Sequence, residues 1–227
     1  MTKRSGVILA GGRSTRFAGA DKALVEIAGT PMVRRVADRL GTVVDEVIVN
    51  CRTEQREAVR AAIDGCSTPT RIALDDHPDE GPVAGMYSGL AAADGDLVAV
   101  LACDMPAVVP SFVDALFSVA TGNRRLDSPS VPAAGPTPPD DSPPYDAVVP
   151  ISPEGWYEPL QAVYRRVPTY RACERALERG DRKALAPLDS LSWTPVGESV
   201  INAHNAGVGF KSVDTRGDLT DVLKQFV

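Results

Sequence analysis

The stretch "ILAGGRSTRFAGADKAL", residues 8–24, decides how the rest of the chain is read. A short apolar run, residues 7–10, leaves what looks like a core through Gly11 and Gly12. It then crosses a segment holding Arg13, Arg16 and Lys22 before apolar residues resume at Leu24. Glycines expose backbone N–H groups, and successive N–H groups can form an anion-binding nest. Arginine grips phosphate bidentately, and lysine supplies a mobile point charge. The segment is either a basic surface turn or a cradle for phosphates. It lacks G-x-x-x-x-G-K-[ST], because Lys22 follows Asp21, and it lacks G-x-G-x-x-G.

Working outward, apolar runs alternate with helix-like segments. Strands are predicted at residues 24–27, 47–49, 71–74 and 97–102, the last reading "LVAVLA". Helices are predicted after Pro31, over residues 53–63 with Thr53 as N-cap, over "GPVAGMYSGLAAA" and over residues 110–119. This alternation indicates βαβ units and a mostly parallel sheet, with continuous apolar strands buried on both faces. Residues 122–145 carry seven prolines and three aspartates with little to bury. They read as a disordered insertion, because "DAVVPI" and "PLQAVY" then supply further strands for the same sheet. A helix over residues 170–178 ends at Gly180, and "TRGDLTDVLKQF" closes the chain as a helix capped by Asp214 or Thr215.

The chain has 227 residues, 44% hydrophobic and 24% charged, which suits one large domain. Its N-terminus does not read as a signal peptide, and no apolar stretch approaches the roughly 20 residues that span a bilayer. The expected location is the cytoplasm, with no membrane partner. A net charge of −6 argues against a broad nucleic-acid footprint. The four cysteines are scattered, with no C-x-x-C pair, and read as isolated thiols. His77 and His204 have no motif partner and carry no assigned chemistry.

In open α/β sheets ligands sit outside the carboxyl ends of the strands. Four polar features fall at predicted strand ends: the glycine segment, Asn50, Asp75-Asp76 and Asp104. Asp104 in "LACDMP" either holds Mg²⁺, which favours one or two carboxylates plus phosphate oxygens, or caps the next helix. Asn50 either bonds a ribose or base or closes a turn. One of Asp75 and Asp76 can accept from the N1–H and 2-amino group of guanine, and the residues alone do not choose between them. Gly81, Gly85 and Gly89 bare one helix face, chiefly for close packing. Trp156 and Tyr157 read as core aromatics or as a stacking surface for a flat ring.

Taken together, "LAGGRSTRFAGADKAL", "GPVAGMYSGL", "ACDMP", "EPLQAVYRR" and "FKSVDTRGDL" occur in the order seen in the molybdenum cofactor guanylyltransferases, the MobA family, which the chain resembles from residue 6 to near its end. The resemblance implies a single-domain, Rossmann-like three-layer sandwich with a mostly parallel central sheet, spanning residues 1–227. It implies GTP, Mg²⁺ and a molybdopterin-type phosphate acceptor. It extends to molybdoenzyme apo-proteins or insertion chaperones as recipients. Carried over by position, Leu9, Ala10, Gly11, Gly12 and Lys22 bind GTP, and Asn50 and Asp75 contact the nucleotide. Asp75 is preferred because it precedes Gly81 by the spacing common in that family. Asp104 binds the metal, and Arg16, Lys22 and Asp104 are the catalytic group. The chain departs from the family at Ala18, where glycine is common, and at Ser212 and Asp214, which replace two asparagines. Two other functions fit the same residues: a sibling transferase with another nucleotide or acceptor (CTP with molybdopterin, GTP with a cobinamide phosphate, or a sugar phosphate), and a non-catalytic nucleotide-binding adaptor.

Overall fold

The structure is a computed structural model that describes residues 2–13, 21–75, 79–122 and 145–223. Arg16, Ala18, Asp76, His77 and the body of the proline-rich insertion lie outside these residues.

The strands are β1 (Arg4–Leu9), β2 (Glu26–Ile27), β3 (Thr30–Pro31), β4 (Glu46–Cys51), β5 (Thr70–Leu74), β6 (Leu97–Ala102), β7 (Ala147–Pro150), β8 (Gln161–Arg165) and β9 (Trp193–Val196). Among the described residues β2 and β3 pair only with each other, and the other seven strands form one sheet in the order β5-β4-β1-β6-β8-β7-β9. In that sheet β8 runs against both its neighbours; β1, β4, β5 and β6 pair in parallel, as do β7 and β9. The strands after the insertion therefore lie in the same sheet as those before it. β4 and β6 are buried along their whole length, as their apolar sequences require when helices cover both faces.

One face of the sheet packs on helices α1 (Met32–Leu40), α2 (Arg56–Ile63), α4 (Pro110–Ala120) and α6 (Glu198–Ala203), through residues such as Ile8, Val49, Leu101, Val36, Val59, Phe112 and Ile201. The other face packs on α3 (Pro82–Ala92) and α5 (Arg166–Glu178), through Val7, Val100, Tyr164, Met86, Leu90 and Cys173. The result is three layers, helix–sheet–helix. Among the described residues no helix is long and apolar enough to cross a membrane.

Several local expectations change. The strand expected at residues 24–27 divides into a 3₁₀ turn, Lys22–Leu24, and the hairpin of β2 with β3. Ala28 and Gly29 both take positive φ, 48° and 73°, as a two-residue hairpin of the primed type needs. Thr53 is not the N-cap of a helix from 53: residues Thr53–Gln55 wind as a 3₁₀ turn and α2 starts at Arg56, because the Gln55 side chain folds back to accept from the Arg52 N–H at 2.9 Å. α5 begins at Arg166 rather than 170, since Pro168 falls in the first turn, where a missing N–H costs nothing. Trp156 is not a core residue; it is 73% exposed. Helix α7 (Arg216–Leu223) is capped by Thr215, whose hydroxyl accepts from the Asp218 N–H while Asp218 accepts from the Thr215 N–H. Asp214 is left for another task.

Candidate active site

The ladder continues past the strand ends and carries the chemistry-bearing residues to one rim. Ala10 donates to Asn50 O at 2.8 Å, Asp75 to Cys51 O at 3.0 Å, and Cys103 to Leu9 O at 3.1 Å. These bonds hold the exits of β1, β4, β5 and β6 level. The chain steps from β1 outward through β4 and β5, then returns to place β6 on the other side of β1. A crevice opens at such a reversal of strand order. Here it is a cavity of about 500 Å³, whose walls include Leu9, Ala10, Gly11, Gly12, Lys22, Asn50, Asp75 and Asp104. Every described residue singled out in the sequence for the site thus borders one space.

The glycine turn has no demand of its own for glycine. Neither Gly11 nor Gly12 has positive φ. Among the described residues, a Cβ on Gly11 would meet Asn50 Oδ1 and Asp75 Oδ2 at an ordinary 3.6 Å, and one on Gly12 would meet nothing within 4 Å. Among the described residues neither packing nor backbone strain demands a glycine at either position, and the bare backbone borders the cavity. Across the turn stand the Asn50 amide and the Asp75 carboxylate. Asn50 is buried and donates to Ala73 O at 3.5 Å. The start of α3, with Gly81, Pro82 and Gly85, forms another wall, and a helix N-terminus favours anions. Gly81 takes φ +75° to enter that helix.

Lys22 lies at the centre of the charge. Its Nζ donates to Asp104 Oδ2 at 2.8 Å and to Asp214 Oδ1 at 2.7 Å. Asp214 also accepts from Ser212 Oγ at 2.8 Å. The segment carrying them is held in place by a backbone bond from Val213 N–H to Asp104 O at 2.9 Å. A small apolar cluster of Ile27, Met32, Val213 and Val222 presses the same segment against the β2–β3 hairpin. Burial pushes the Lys22 ammonium toward neutrality, but the hydrogen bonds to Asp104 and Asp214 outweigh it and hold its pKa above the usual lysine value. Lys22 is therefore a fixed cation. Asp104 Oδ1 is buried and has no hydrogen-bond partner among the described residues. An orphaned carboxylate oxygen beside a ligand cavity is costly unless something binds it, and a hard divalent cation suits such a donor.

Sequence reasoning left Asp214 as a candidate cap of the last helix and a departure from the family's asparagine; the structure places it on Lys22. It missed Gln55, which reads as a surface polar residue of a helical first turn and is instead buried under the glycine turn. It also left Arg52 unassigned, and this side chain bonds the Gly11 and Gly12 carbonyls. Nothing in the residue pattern marks either.

A mostly parallel sheet with a partly buried cation and carboxylates along such a rim is suited to nucleoside polyphosphates, and the protein is a nucleotidyltransferase. The chain belongs to the MobA-like NTP transferase domain family, which residues 6–192 match. Enzymes of this family are generally dependent on a divalent metal. The chain is 43% identical over 219 residues to a probable molybdenum cofactor guanylyltransferase of Natronomonas pharaonis, covering 96% of each chain. It is 33% identical to a protein of the same description from Haloferax mediterranei, covering 96% of this chain and 92% of that one. The crystal structure of molybdopterin-guanine dinucleotide biosynthesis protein A from Archaeoglobus fulgidus superposes with a TM-score of 0.73 at 22% identity, covering 98% of both chains, and shares the fold.

The α3 glycines separate site from scaffold. A Cβ on Gly85 would lie 2.6 Å from Asn50 Oδ1, whereas one on Gly89 would lie 2.4 Å from Val7 Cγ1 in the core. Overpacking of this kind costs about 1–3 kcal/mol. Both Gly85→Ala and Gly89→Ala lower the urea midpoint. Only Gly85→Ala weakens nucleotide binding by the folded protein, by about tenfold, because Asn50 must turn away. Equal nucleotide affinities in the two variants, measured by calorimetric titration, would remove Asn50 from recognition.

Proposed function

We propose that this protein transfers GMP from GTP to the terminal phosphate of molybdopterin, forming the guanine dinucleotide cofactor and releasing pyrophosphate. The observation that carries this reading is the meeting, in one cavity, of a ligand-facing glycine turn with Lys22 and the orphaned oxygen of Asp104.

The backbone of Leu9, Ala10, Gly11 and Gly12 cradles the triphosphate, with Arg16 and Lys22 neutralising it. Asn50 contacts the nucleotide. Asp75 accepts from the guanine N1–H and 2-amino group, which cytosine and adenine do not both offer in that geometry. Asp104 holds Mg²⁺, which when bound supplies further neutralisation of the phosphates. The acceptor phosphate attacks the α-phosphorus in line, and the bond to pyrophosphate breaks. Repulsion between the two anions is the main barrier: two unit charges at 4 Å interact by about 4 kcal/mol at an effective dielectric near 20. Offsetting one such repulsion is worth nearly a thousandfold in rate, at about 1.36 kcal/mol per tenfold. Lys22, kept charged by its two carboxylates, is placed to do this. The attacking phosphate is already ionised, so the step needs no general base. The reaction takes place in the cytoplasm, and apo-molybdoenzymes or their insertion chaperones receive the product.

Pyrophosphate release in GTP, Mg²⁺ and molybdopterin, beside CTP and ATP controls, tests the proposal. Turnover with GTP and little with the others is expected. Preference for CTP, or GTP binding without turnover, would overturn it in favour of a sibling transferase or an adaptor.

A further inference from the structure

The residues that build the phosphate loop are tied to one buried side chain outside it. Gln55 is 4% exposed, on the 3₁₀ turn that follows β4. Its Nε2 donates to Ala10 O at 3.0 Å and to Asp21 Oδ2 at 2.5 Å, while its Oε1 accepts from Arg52 N–H at 2.9 Å. Both amide donors and one acceptor position are thus engaged. Ala10 and Asp21 are the residues that bracket the loop, one at the exit of β1 and one before the Lys22–Leu24 turn. Asp21 in turn accepts from the Ala23 N–H at 3.1 Å and so caps the turn that presents Lys22. Arg52, held through its N–H by Gln55, reaches the Gly11 and Gly12 carbonyls.

We infer that Gln55 is the positioning residue of the phosphate loop: its single amide fixes the separation of the loop's two ends and, through Asp21, aims Lys22 at Asp104 and Asp214. A primary amide suits this place because it must donate to a carbonyl and a carboxylate while accepting from an N–H. Glutamate has the same shape but only acceptors at neutral pH, so it meets Asp21 and the Ala10 carbonyl with repulsion. The inference rests on the guanylyl-transfer reading only for its kinetic consequence; the aim of Lys22 is a property of the protein without ligand.

The test uses amine acylation of the intact, ligand-free protein, read at each lysine by mass spectrometry. In Gln55→Glu the rate at Lys22 rises by about tenfold, the weight of a charge-assisted hydrogen bond, while Lys3, Lys183 and Lys211 are unchanged. Adding Asp21→Asn restores a donor toward the introduced carboxylate, keeps an acceptor for the Ala23 N–H, and returns the Lys22 rate to within about threefold of wild type. The double variant also removes the like-charge contact, so it reports even where Gln55→Glu unfolds. In the kinetic arm kcat of Gln55→Glu falls about tenfold with little change in KM for GTP. An unchanged Lys22 acylation rate in folded Gln55→Glu, or no recovery in the double variant, would overturn the inference. Loss of the guanylyl-transfer reading would leave the acylation result standing.

Discussion

Asp104→Asn lowers turnover by about 10²- to 10³-fold, the usual cost of removing a charge-stabilising group from a site of this kind. The same change leaves the thermal midpoint within a few degrees of wild type. Lys22 keeps its 2.7 Å bond to Asp214, and an asparagine oxygen can still accept from Nζ. The oxygen without a partner, Oδ1, stabilises nothing among the described residues of the folded chain. Affinity for the nucleotide alone, measured without divalent metal, changes less than turnover measured with it. Initial rates and differential scanning calorimetry on the same preparation check both halves. Full activity in magnesium would take Asp104 out of the mechanism.

Glu46→Ala has the opposite profile, with a loss of about 1–3 kcal/mol of stability, from buried hydrogen bonds left unmade, and little change in kcat at 25 °C. Glu46 sits on the rim away from the cavity, at the entry of β4, opposite Ser5 in the register. Its carboxylate accepts from Ser5 Oγ at 2.6 Å, the Asp94 N–H at 2.8 Å and Arg71 Nη2 at 2.6 Å. Burial pushes its pKa up, but the Ser5, Asp94 and Arg71 bonds outweigh burial and hold it below the usual glutamate range. The folded state therefore favours the ionised form. Its contribution is complete above the unfolded value of roughly pH 4.3 and fades as pH falls through the lower folded value. Urea unfolding between pH 7 and pH 3 shows this: wild type loses stability on acidification, and Glu46→Gln loses less because it has no such proton to take up. Parallel acid profiles for the two proteins would exclude Glu46 as the source.

The parallel half of the fold is written plainly in the chain. "LVAVLA" is apolar at every position because β6 has helices on both faces, and the residue just past it, Asp104, reaches the rim because strand exits do. The later strands are harder to read. β9 contains Pro195 in a four-residue strand, "WTPV", with no alternation, and it is a strand only because β7 lies beside it. The hairpin at Ala28-Gly29 is hidden because its second strand runs into the helix start at Pro31, and Ala28, a non-glycine residue at positive φ, leaves no compositional mark. Asp214 can be read as a cap because aspartate commonly is one; Thr215 does that work, and the choice depends on where Val213 docks, a contact that spans about half the chain. Gln55 shows the same limit. Two of its three bonds reach segments far away in sequence, and nothing near position 55 foretells them.

The reversed strand β8 sets what stands on one side of the cavity. Because it runs against β6, its entry rather than its exit meets the cavity, and Leu160 on the wall is bonded through its carbonyl to the Ala102 N–H at 3.0 Å. The segment leading into it, from Ile151 through the exposed Trp156, folds back on itself through the Ile151–Tyr157 bridge and stands behind Leu160 rather than on the cavity wall. A change in that segment reaches the cavity through Leu160 alone, whose carbonyl the Ala102 N–H holds, and leaves the exits of β1, β4 and β5 where they are.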